Sequence, residues 1–109
     1  MDNVNLIYHY RTRDGVDVFD AWISKLSDTK AMAKVFARVD RLQAGNFGDC
    51  KSVGEGVWEL RIDHGPGYRV YYALVGRKIV LLLCGGDKRK QSADIRRSAE
   101  MLKDYNERQ

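Results

Sequence analysis

The stretch that decides the fold reads Val57-Trp58-Glu59-Leu60-Arg61-Ile62-Asp63, then His64-Gly65-Pro66-Gly67, then Tyr68-Arg69-Val70-Tyr71-Tyr72-Ala73-Leu74. Trp58, Leu60 and Ile62 alternate with Glu59, Arg61 and Asp63, the period-two pattern of a half-buried strand. Val70, Tyr72 and Leu74 alternate in the same way with Arg69, Tyr71 and Ala73. The glycine-proline-glycine turn joins the two into a hairpin. Pairing must match apolar with apolar, because a slip of one residue swaps the faces. That parity puts Arg61, Arg69 and Tyr71 on one common face with Glu59 beside them.

Working outward, residues 78–84 are apolar at almost every position (Ile79-Val80-Leu81-Leu82-Leu83-Cys84). They predict an interior strand covered on both faces. On the other side, residues 44–56 are rich in glycine and polar side chains and predict a loop. Val16, Phe19, Trp22, Ile23 and Leu26 fall at helical spacing, as do Met32, Val35, Phe36, Val39 and Leu42. Ser27-Asp28 separates them, with Asp28 as N-cap of the second helix and Gly45 as its stop. The short gap predicts an antiparallel helical hairpin. Residues 4–10 read as a first strand. Residues 92–108 read as a last helix, with Ile95, Ala99, Leu102 and Tyr105 as its stripe and Ser92 as its N-cap. The fold class is therefore α+β: an N-terminal strand, a helical hairpin, a three-stranded antiparallel meander completing a small sheet, and a C-terminal helix.

The 109 residues carry no repeat, linker or low-complexity tract, and one domain over 1–109 is expected. A net charge of +4 and a pI near 9.2 suit an anionic partner, though many small proteins carry as much. The longest apolar run, residues 79–84, is far too short to span a bilayer. Met1-Asp2-Asn3-Val4-Asn5 lacks the basic and apolar regions of a signal peptide. Cys50 and Cys84 lie far apart without metal spacing, and a reducing cytoplasm is the expected location.

Several side chains carry candidate chemistry. Arg61 and Arg69 on a rigid sheet can grip adjacent phosphates and stabilise charge in phosphoryl transfer. Equally, each can pair across the strands with Glu59 or Asp63. Asp87-Lys88-Arg89-Lys90, with Arg96 and Arg97 further along, offers phosphate contacts or simply a solvated charge run. Tyr71 can stack an unpaired base, whereas Tyr72 belongs to the core. His64 in the hairpin turn can exchange a proton near neutral pH, and Glu59 can act as a base; the plainer readings are a turn residue and a partner for Arg61. His9 is structural. Gly85-Gly86 supplies flexibility or an unusual backbone angle. No Cys/His cluster, carboxylate cluster or nucleophile–histidine–acid set is legible, so neither metal nor cofactor is expected. Metal-free phosphodiester cleavage would use the 2′-hydroxyl as internal nucleophile, which points to RNA.

Trp58-Glu59-Leu60-Arg61, Gly65-Pro66-Gly67-Tyr68-Arg69-Val70-Tyr71-Tyr72 and Leu82-Leu83-Cys84-Gly85-Gly86-Asp87-Lys88 together resemble the phage Gp49-like, HigB-type addiction module killer branch of the RelE/ParE toxin superfamily. The resemblance covers nearly the whole chain. It implies the toxin of a prokaryotic type II toxin–antitoxin pair. RelE-like members cleave mRNA in the ribosomal A site without a metal. A protein antitoxin silences them, often one of helix-turn-helix type, and the complex reaches operator DNA through that antitoxin. By motif, Arg69 matches the arginine at the scissile phosphate, Arg61 stands where RelE has a catalytic lysine, and Arg89 matches the basic residue after the last strand. Glu59 and Ile95 depart from a lysine and a reactive-site tyrosine. Acid–base chemistry then falls to Glu59, His64, Tyr71 or the ribosome. Lys88, Lys90, Tyr71 and Arg96 are the expected RNA contacts. The same fold also serves ParE-like gyrase poisons and inactive antitoxin-binding modules.

Overall fold

A computed structural model describes residues 4–109; the opening three, part of the stretch read for a signal sequence, lie outside it. The elements run β1 (Leu6–His9), α1 (Val18–Ile23), α2 (Thr29–Gln43), β2 (Cys50–Gly54), β3 (Val57–Ile62), β4 (Tyr68–Val75), β5 (Ile79–Asp87) and α3 (Gln91–Glu107). One mixed sheet has the order β1-β5-β4-β3-β2, with β1 parallel to β5 and every other pair antiparallel.

The helices divide between the two sheet faces because the strands alternate. Leu60, Ile62, Val70, Tyr72, Val80 and Leu82 meet Phe19 and Ile23 of α1 and Val35, Val39 and Leu42 of α2. On the other face Val57, Tyr71, Ala73, Leu81 and Leu83 meet Leu102, with Ile95, Ala99 and Tyr105 of α3 packed beside it. In β5 the register shifts between Tyr71 and Tyr72 of its partner strand, so that Tyr71 pairs with Cys84 and Tyr72 with Leu82. A β-bulge of this kind re-aims the residues that follow. Here it turns Cys84 towards Ser98 of α3, 3.1 Å away. Among the described residues no helix is long and apolar enough to cross a membrane.

The capping chemistry follows the local sequence in part. Asp28 caps α2, accepting from the Lys30 and Ala31 amides, and Gly45 follows its C-cap with φ +86°. Ser92 does not cap α3. The helix begins at Gln91 without a side-chain cap, because a 3₁₀ turn over Lys88–Lys90 precedes it and Asp87 caps that turn.

Residues 44–56 are not all loop. Cys50–Gly54 is an edge strand joined to β3 through Glu55 and Gly56, both at positive φ. That geometry fits the right-handed twist of a two-residue hairpin. Being exposed on most of its length, Cys-Lys-Ser-Val-Gly carries no apolar alternation to betray it. Gly85 and Gly86 are not at positive φ, and their value is steric. A Cβ on Gly85 would lie 2.2 Å from the Trp22 ring, and one on Gly86 2.0 Å from Asp94 Oδ2.

Candidate RNA-binding groove

The turn Gly65-Pro66-Gly67, the ends of β3 and β4 and the start of the 3₁₀ turn enclose an open groove of about 530 Å³. Arg61, Arg69 and Lys88 line it together with Asp49 and Asp63. Arg61 is registered directly opposite Arg69, and Glu59 opposite Tyr71. The two guanidinium groups thus share one face of two neighbouring strands. Gly67 lets the turn lie against them. It sits at φ +82°, its carbonyl accepts from Arg69 Nη1 at 2.9 Å, and a Cβ there would lie 3.2 Å from that nitrogen.

The two arginines differ in their surroundings. Arg61 is 40% exposed and meets Asp49 Oδ1 at 3.0 Å; Asp49 is itself 56% exposed. Its backbone carbonyl accepts from Arg38 Nη1 of α2 at 2.6 Å, and Arg38 also donates to the Phe47 and Asp49 carbonyls. Arg38 therefore pins the segment leading into β2 against β3. Arg69 is only 12% exposed, with its Nε 3.4 Å from Oε2 of the fully buried Glu59. Tyr71 donates to the same oxygen at 3.1 Å, and Gln91 Nε2 donates at 2.8 Å. Burial, then the Glu59 charge, pushes the Tyr71 hydroxyl far above its ordinary pKa, so it serves as a neutral donor. Through Gln91 the carboxylate ties the first residue of α3 to the arginine.

The remaining expected site residues scatter. Glu59 lies beneath the groove, not in it, and Tyr71 is fully buried, so neither a solvent-facing base nor a stacking ring is offered there. His64 turns towards α2, its Nε2 3.0 Å from Asp28 Oδ2. Arg89 is exposed and returns to Asp87 at 3.0 Å, holding that carboxyl below its usual pKa. Lys88 faces the groove, while Lys90 lines a separate cleft with Asp94 and Trp22. Arg96 lies further along α3, on a third cavity with Leu102 and Lys103. Asp49, Asp63 and Arg38 did not emerge from the sequence as site residues. Asp63, one residue past the end of β3, was read only as an ion-pair partner for the arginines. Asp49 fell in the apparent loop, and Arg38 looked like any exposed helix arginine.

Among the described residues no group of three His, Cys, Asp or Glu side chains is placed to hold a metal ion. Both cysteines are free.

The chain belongs to the Gp49-like phage-derived protein family, whose model matches residues 21–105, a family of RelE/HigB-type toxins. It is similar to an uncharacterized protein of Haemophilus influenzae, with 56% identity over 80 residues, 73% of this chain and 81% of that protein. Membership makes this a toxin–antitoxin-related protein and implies an antitoxin as partner.

Proposed function

We propose that this chain is the toxin of a type II pair and that it inhibits translation by cutting mRNA in the ribosome. One observation carries the reading: Arg61 and Arg69 stand opposite one another and line the same open groove. In the reaction the RNA 2′-hydroxyl loses its proton and its oxygen bonds to phosphorus. The bond from phosphorus to the 5′-oxygen breaks, and that oxygen takes up a proton. The products are a 2′,3′-cyclic phosphate and a 5′-hydroxyl. Arg69, fixed by Glu59 and the Gly67 carbonyl, stabilises the charge that builds on the phosphoryl oxygens, and Arg61 grips the phosphate from the opposite strand. Lys88, Arg89 and Lys90 hold flanking phosphates of mRNA or ribosomal RNA. Asp49 and Asp63 are the groove carboxylates able to take a proton; Glu59 and His64 are committed to Arg69 and Asp28 and position the groove.

The test is to induce wild type, Arg61→Ala and Arg69→Ala in a bacterial host and to map mRNA 5′ ends. Each substitution is expected to lower cleavage by on the order of 10²–10³. Equal cleavage by Arg61→Ala, whose exposed pair matters little to folding, overturns the assignment. Arrested supercoiling by purified gyrase with intact mRNA would favour a gyrase poison instead.

A further inference from the structure

α2 carries its cations where helix electrostatics disfavours them. Lys30, Lys34, Arg38 and Arg41 recur every three or four residues, so they stand in one row along the helix. Each neighbour in that row is another cation, and like charges at this spacing destabilise a helix. Lys30 also sits in the first turn, at the positive end of the helix dipole, and no acid is there to offset it. Asp40, the one acid between Thr29 and Gln43, lies about 100° around the helix from Arg41. Among the described residues none of the four cations forms an ion pair with a carboxylate.

The row runs beside the arginine groove. Lys34, Arg38 and Arg41 enclose a hollow of about 220 Å³, lined also by Ala37 and by Ile62 and Asp63 at the end of β3. Ile62 and Asp63 line the groove as well. Arg38 spans the two. Its Nη1 donates to the Arg61 carbonyl at 2.6 Å and its Nη2 to the Asp49 carbonyl at 3.3 Å, and both residues line the groove. Asp63 is the acid of the hollow, set against three cations. Phe36, the exposed ring of α2, lies on the far side of the helix from Lys34, so the row offers charge without an apolar surface. That suits a phosphate backbone better than an acidic protein segment, whose interface would need an apolar core. We propose that the row is a second RNA contact, holding phosphates of the strand to one side of the scissile phosphate. The proposal rests on the RNA reading above. A strand leaving the Arg61–Arg69 groove past Ile62 and Asp63 meets Arg38 and then Lys34 and Arg41, which lie two helical turns, about 10 Å, apart. Such contacts add affinity and position the strand but read no sequence.

The test is binding of fluorescent 2′-O-methyl oligouridylates, which lack the attacking hydroxyl: a trinucleotide, enough for the groove, and a dodecanucleotide that also reaches α2. At low salt the wild-type chain should bind the longer one more tightly. Lys34→Gln with Arg41→Gln, both at exposed positions, should lower that affinity about tenfold and flatten its log–log dependence on salt by about 1.4, the share of two phosphate contacts. The trinucleotide should bind as before. Ala37→Glu should also weaken the dodecanucleotide yet raise Tm, because a glutamate there pairs with Lys34 and Arg41 along the helix; misfolding cannot produce both changes. Unchanged affinity and slope in these variants, with Arg61→Ala still weakening both oligomers, overturns the row and spares the groove. Failure of the wild-type chain to bind either oligomer overturns the row and the RNA reading together. Displacement of the dodecanucleotide by polyglutamate as readily as by unlabelled RNA of equal charge overturns the RNA assignment in favour of an acidic polypeptide.

Discussion

The two faces of the sheet bury their side chains under different rules. Against α1 and α2 the core is Phe19, Ile23, Val35, Val39, Leu42, Leu60, Ile62, Val70, Tyr72, Val80 and Leu82, essentially hydrocarbon and ring. Against α3, Val57, Tyr71, Leu81, Leu83 and Leu102 share the interior with Glu59, Asp94 and Ser98, the buried polar side chains among the described residues. Polar groups in an interior cost free energy unless each finds a partner. Glu59 has three neighbours on one oxygen and none on the other, and Asp94 leaves Oδ2 without a bond. A face kept only for stability would do better with apolar residues. The α3 face holds its charged groups next to the groove and the cleft, and the difference between the faces marks where stability has been traded for position.

The largest effect expected from this contrast is at Arg69. Arg69→Ala leaves Glu59 charged and buried without its cation, and breaking such a pair costs about 3–5 kcal/mol where both partners are nearly closed to solvent. Urea unfolding should show this loss. Removing both charges, with Glu59→Leu and Arg69→Met, should recover most of it while the cleavage activity stays lost. Arg61→Ala should cost less than about 1 kcal/mol, since its pair with Asp49 is exposed on both sides. If the two single substitutions destabilise equally, the distinction between the arginines fails.

Next in size is the same experiment on the apolar face. Leu60 is fully buried there, one residue from Glu59 along the strand and facing the opposite way. Leu60→Ala should cost about 2–5 kcal/mol through lost burial and the cavity left behind. It should leave RNA cleavage per folded molecule unchanged. A drop in cleavage well beyond the loss of folded protein would show that the α1–α2 face also positions the groove.

How far these faces could be read in the sequence depends on what covers each. Leu60, Ile62, Val70 and Tyr72 announce themselves by alternation, and their pairing fixes Arg61 opposite Arg69 because a slip would bury the arginines with the leucines. Alternation also makes Glu59 and Tyr71 look outward. Only the docking of α3, whose stripe begins at Ile95, well past the hairpin, turns that face into an interior. His64 shows the same limit. A histidine in a turn reads as free for chemistry until α2 brings Asp28, 36 positions earlier, to within a hydrogen bond. The edge strand β2 escaped because strand signals come from burial, and an edge strand with polar residues has little.

The smallest effect separates two acids on α3 that differ only in setting. Asp104 accepts from Tyr10 and pairs with Arg13 and Arg108, and these partners, the Tyr10 hydroxyl first, hold its carboxyl below the usual range. Burial raises that of Asp94, with Arg97 and Lys90 opposing. The signs follow from linkage. A depressed carboxyl contributes stability above its unfolded pKa, about 3.9, and loses it as pH falls through the lower folded value. A raised one does the reverse: the folded state holds the proton more tightly, so the ionised acid is a burden above its folded pKa, lifted as pH falls towards 3.9. Asp104→Asn should therefore lower Tm at pH 7 and bring little change near pH 3. Asp94→Asn should raise Tm at pH 7, with the gain shrinking as the pH approaches 4. Melting curves across that interval check both. A rise in Tm at pH 7 for Asp104→Asn, or a fall for Asp94→Asn, would mean that the polar interior against α3 stabilises this fold and that its acids are not held there at a cost.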